Sequence, residues 1–94
     1  MVIMVVERAR PSLRGELTRW MLEPRAGVFV GTLSALVRDR LWARVKEGMG
    51  EAGAMLIYTT DHEQGFALEL AGTPSRTLID FEGITLVQVP QKHS

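Results

Sequence analysis

Ninety-four residues, 46% hydrophobic and 23% charged, point to one soluble globular domain over residues 1–94 and exclude a disordered or fibrous chain. The absence of cysteine excludes a disulfide framework and a thiolate metal site, and suits a cytoplasmic protein. The formal net charge is zero, yet residues 1 to 46 carry nine bases against four acids, and residues 47 to 94 carry two against seven. An asymmetry of this kind lets the first half present a basic face to a polyanion, with arginine the commoner base and the better phosphate fork.

In chain order, VIMVV (2 to 6) is a continuous apolar run and predicts a strand buried on both faces. Its length is too short for a signal-peptide core, and no apolar run reaches membrane-spanning length. Pro11 then breaks the pattern, and Ser12 is a candidate helix cap. Leu13, Leu17, Trp20 and Met21 follow at helical spacing and read as core, with Pro24 ending the helix. Arg19 and Glu23 stand four apart as a potential ion pair, so Arg19, like Arg25, reads as a surface or ion-pair residue.

AGVFVG (26 to 31) predicts a short strand, after which Thr32 or Ser34 caps a second helix. Leu33, Leu36, Val37, Leu41 and Val45 form the apolar stripe of that helix, with Arg38, Arg40 and Arg44 on its other faces. AMLIYTT (54 to 60) and FALELA (66 to 71) predict a strand hairpin through DHEQG. RTLIDF (76 to 81) and ITLVQV (84 to 89) are further strand candidates before a frayed tail. This order predicts an α+β sandwich of ferredoxin-like layout, two helices on one face of an antiparallel sheet, with extra C-terminal strands available to a partner's sheet edge.

No phosphate-binding loop, dinucleotide fingerprint or serine-nucleophile motif occurs in the sequence. His62 and His93 stand apart from any cluster. Glu7 ends the first strand, where a side chain can face a cleft. One carboxylate holds Mg²⁺ weakly, but two copies of Glu7 across a two-fold dimer would make a shared site for metal-activated phosphodiester hydrolysis. The ordinary reading is that Glu7 pairs with Arg8 or Arg10. Arg8, Arg10 and Arg14 lie between the end of the first strand and the first helical turn, and Arg76 opens a late strand that could join them in the fold or across a dimer, which makes these four the candidate phosphate contacts.

Taken together, the first strand ending in Glu7, PSLRG, RWMLEPRAGVFVG, the helix carrying Trp42, and SRT before IDFEG resemble the second CRISPR-associated protein family (Cas-two) in its subtype I-E form. The resemblance spans roughly residues 2 to 89. It implies a homodimer that bridges dimers of the Cas-one integrase and supports double-stranded prespacer DNA through phosphate contacts. It also implies that the segment 84–94, with Ile84, Leu86, Val87 and Val89, docks on Cas-one. Of the subtype's two arginine pairs, only Arg14 and Arg76 are present, because Ser12 and Ser75 stand at the partner positions. The family is also described as a metal-dependent endonuclease or endoribonuclease acting from an acidic residue, usually aspartate, at the position of Glu7. A scaffold role, with integration chemistry left to Cas-one, is the favoured expectation.

Overall fold

A computed structural model describes residues 1–49, 52–60 and 65–72 of the chain. Strands β1 (Val2–Val6), β2 (Leu22–Arg25), β3 (Val28–Gly31), β4 (Gly53–Thr59) and β5 (Phe66–Gly72) alternate with helices α1 (Pro11–Thr18) and α2 (Ala35–Gly48). They form a sheet of order β2-β3-β1-β4-β5 in which every neighbouring pair is antiparallel. The first four strands and two helices make the expected ferredoxin-like sandwich, and β5 extends it beyond β4.

The central strand β1 is apolar on both faces, as its sequence requires. Val2, Met4 and Val6 join Leu13 and Leu17 of α1, Phe29 of β3 and Leu41, Trp42 and Val45 of α2 in the main core. On the opposite face, Ile3 and Val5 pack with Met55, Ile57 and Leu68. The alternation follows from the two-residue side-chain period of a strand.

Helix α2 starts where its cap chemistry places it, with the Ser34 side chain accepting from the Val37 amide at 3.2 Å. Trp42 is buried, and its indole N–H donates to Glu69 Oε1 at 3.1 Å, fastening α2 to β5. Leu36 departs from the predicted stripe and is 63% exposed. Arg38, placed off the apolar stripe by its spacing, lies 3.8 Å from the Tyr58 ring centroid as a cation–π contact.

The region from Pro11 to Arg25 differs most from its sequence pattern. Arg10, not Ser12, is the N-cap residue of α1, with Pro11 in the first turn, where its missing N–H is harmless. The helix stops at Thr18, and Trp20 lies in the following turn, 54% exposed rather than in the core. Met21 is buried as expected. Its side chain crosses so close to Gly31 that a Cβ there would lie 2.7 Å from Met21 Cγ. Pro24 therefore sits in strand β2 instead of ending a helix. Among the described strands β2 is the sheet edge, where a residue without a donor is tolerated. The strand candidates 76–81 and 84–89, with Arg76, Ile84, Leu86, Val87 and Val89, lie outside the described residues, as do His62 and His93.

Candidate functional site

The end of β1 is tied to the start of β4 through both backbone and side chain. The Glu7 amide donates to the Gly53 carbonyl at 3.0 Å, and Glu7 Oε1 accepts from the Gly53 amide at 3.2 Å. Arg8 follows in the left-handed region at φ 56°, a conformation uncommon outside glycine and asparagine. The chain leaves the sheet sharply here and enters α1 within three residues.

The β2–β3 hairpin returns to the same end of the sheet. Gly27 turns it at φ +83°, and the Gly27 carbonyl accepts from the Val6 amide at 2.8 Å. Between these elements lies a concavity of about 720 Å³. Ile3, Val5, Val28 and Val30 give it apolar walls, while Glu7, Arg8, Arg14 and Arg25 supply its charged groups. The structure places Glu7 and Arg14, separate candidates in the sequence, on one groove, and adds Arg25, an ordinary surface residue by its sequence pattern. The sequence signal for Arg25 is the turn at Ala26 and Gly27, which the helical spacing of Leu13, Leu17, Trp20 and Met21 masks.

Arg14 is not free at this site. Its Nε lies 3.1 Å from Glu23 Oε2, and the same oxygen accepts from the Gly27 amide at 2.9 Å. Glu23 therefore pairs with Arg14 rather than with Arg19. Arg10 stands apart from this groove. It lines a second, smaller cleft of about 240 Å³ with Ser12, Glu16, Arg44 and Glu47. In that cleft Arg44 Nε contacts both Glu16 carboxylate oxygens, at 3.0 and 3.2 Å. The hydrogen bond to Glu16, then the charges of Glu16 and Glu47, raise the Arg44 pKa above its ordinary value. Three of the first half's arginines are thus engaged within the chain: Arg14 by Glu23, Arg38 by Asp39 and Arg44 by Glu16.

No group of three or more His, Cys, Asp or Glu side chains placed to hold a metal ion occurs among the described residues. Glu7 is the carboxylate that lines the groove between β1 and the β2–β3 hairpin. No helix among the described residues is long and apolar enough to cross a membrane.

The fold is that of a small α+β protein with a ferredoxin-like sheet, and Arg8, Arg14, Arg25 and Glu7 line the groove where β1, α1 and the β2–β3 hairpin converge. Residues 1–86 match the family model described as CRISPR-associated protein (Cas_Cas2CT1978), and the chain belongs to that family.

Proposed function

We propose that this chain is a DNA-holding scaffold subunit of a CRISPR spacer-integration complex, of the subtype I-E kind. The observation that carries the reading is the convergence of Arg8, Arg14 and Arg25 around one groove in a member of a CRISPR-associated family. Guanidinium groups gathered on a small rigid sheet suit the phosphate backbone of a duplex, which is recognised by charge and spacing rather than by base sequence. A homodimer, as the two-fold symmetry of most small oligomers favours, supplies two such sets. The dimer bridges Cas-one dimers through residues 84–94 and leaves strand breakage and joining to Cas-one.

The test combines the protein with its cognate Cas-one and a labelled prespacer duplex, and measures binding over a series of salt concentrations. Replacing Arg14 and Arg76 together by alanine is expected to flatten the dependence of log K on log salt by about 0.9 for every phosphate no longer neutralised. An unchanged slope overturns the assignment. Removing residues 84–94 is expected to weaken co-elution with Cas-one while leaving duplex binding by the isolated protein in place. Undiminished co-elution rejects the docking role of Ile84, Leu86, Val87 and Val89.

A further inference from the structure

We infer that Glu23 is the positioning residue for Arg14, setting the guanidinium for a phosphate, an inference that rests on the DNA-holding reading above. Glu23 lies on the edge strand β2, four residues before the hairpin glycine. Its Oε2 is fixed by the Gly27 amide at 2.9 Å, and Gly27 is fixed in turn to β1 by the bond from Val6 at 2.8 Å. The carboxylate is thus held by backbone on one side and meets Arg14 Nε at 3.1 Å on the other. Its side chain is 17% exposed, against 44% for Arg14. An acid this well covered and this firmly anchored differs from a solvated surface partner that trades places with water.

The point of contact matters. Nε is the stem-side nitrogen of the guanidinium; the edge it faces also carries one terminal nitrogen, and the tip of the planar group presents both. Those terminal nitrogens form the fork that grips a phosphate. An ion pair at Nε therefore restrains the side chain and leaves the tip of the guanidinium open to a phosphate.

Two effects of Glu23 oppose each other. Its negative charge repels an approaching phosphate, but across several ångströms of solvated surface that repulsion is small and further screened by salt. Its restraint removes part of the ordering penalty that a free, rotamer-rich arginine meets on binding. Near physiological salt the second effect dominates.

Glutamine and alanine at position 23 separate the effects, because both remove the charge and only glutamine keeps an acceptor for Gly27 and a dipole toward Arg14. Binding of a short labelled DNA duplex by the purified protein is measured by anisotropy at fixed salt. The variants are Glu23→Gln and Glu23→Ala, each with Arg14 intact and with Arg14→Ala. With Arg14 present, the alanine variant is expected to bind about three- to tenfold more weakly than the glutamine variant. With Arg14→Ala, the two are expected to bind alike, because Glu23 then has nothing to position.

Equal affinity of the two variants in the presence of Arg14 overturns the inference. So does a difference that persists after Arg14→Ala, which would mean that Glu23 acts only by holding the hairpin. If Arg14→Ala alone leaves binding unchanged, the DNA contact itself is wrong and the positioning role falls with it. That outcome is distinct from the other two. Urea midpoints for all variants identify any weakening that comes from unfolding.

Discussion

Phe29→Ala is expected to lower the stability of the fold by about 3–5 kcal/mol, measured as a reduced urea midpoint at unchanged m value. Phe29 is fully buried on the helix-facing side of β3, opposite Met4 in the ladder to β1. It lies in the same cluster as Leu17 of α1 and Trp42 and Val45 of α2, so every layer of the sandwich meets the space that its ring fills. Truncation removes the transfer free energy of the ring and leaves a cavity that a rigid sheet closes poorly. A chain of this length has roughly 5–14 kcal/mol in all, so the loss takes a third or more of it in the central case. Leu36→Ala provides the contrast. Leu36 shares the helical spacing of the core residues but is 63% exposed, so its removal is expected to change stability by no more than about 0.5 kcal/mol. Comparable losses for the two would reject the packing described for α2.

This contrast also marks where the sequence pattern stops being sufficient. The strand Val2–Val6 was legible because an uninterrupted apolar run leaves no face for solvent. Helix α2 was legible from Ser34 and the spacing of Leu41 and Val45, and the strand pair Gly53–Thr59 and Phe66–Gly72 from two apolar runs around a polar turn. Residues 19 to 25 were not. Leu13, Leu17, Trp20 and Met21 continue a helical stripe, and LEPR has almost no strand propensity of its own. Pairing with β3 decides the outcome there, with a register irregularity between Leu22 and Arg25 and a proline on the unpaired edge. Tertiary pairing overrides local preference in this segment.

The candidate site inherits the same division. Arg14 and Glu7 were visible because both flank the junction of the first strand and helix. Arg25 joins them only once the hairpin at Gly27 exists, and Arg14's partner could not be Glu23 while residues 19 to 23 were read as helix. Charge counting also overstates the free basic surface. Nine bases in the first half suggest a strongly cationic face, but Arg14, Arg38 and Arg44 each meet an acid from the same half. The cationic character that remains depends on which guanidinium edges those acids leave open, which is a question of geometry rather than composition.

The same glycine-to-alanine change is expected to have opposite effects at two positions, and the pair links stability to DNA binding. Gly27 has φ +83°, where an L-residue incurs about 1–2 kcal/mol from its own Cβ. An added Cβ would also lie 2.8 Å from the Val6 carbonyl oxygen, a backbone atom that cannot rotate aside. Gly27→Ala must therefore lift the hairpin from β1, and it should destabilise the fold by at least that amount. Because the Gly27 amide anchors Glu23, and Glu23 meets Arg14, duplex affinity is expected to fall in the variant even where it remains folded. Gly15 is the opposite case: it lies inside α1, and an added Cβ would have no atom within 4 Å. Gly15→Ala is expected to stabilise the protein by about 0.5–1 kcal/mol through lower backbone entropy in the unfolded chain, without weakening duplex binding. Urea denaturation and duplex titration of both variants check the pair. A Gly27→Ala protein as stable as the parent would mean that the hairpin does not press on β1. One that is destabilised but binds DNA with native affinity when folded would break the link from Gly27 through Glu23 to Arg14.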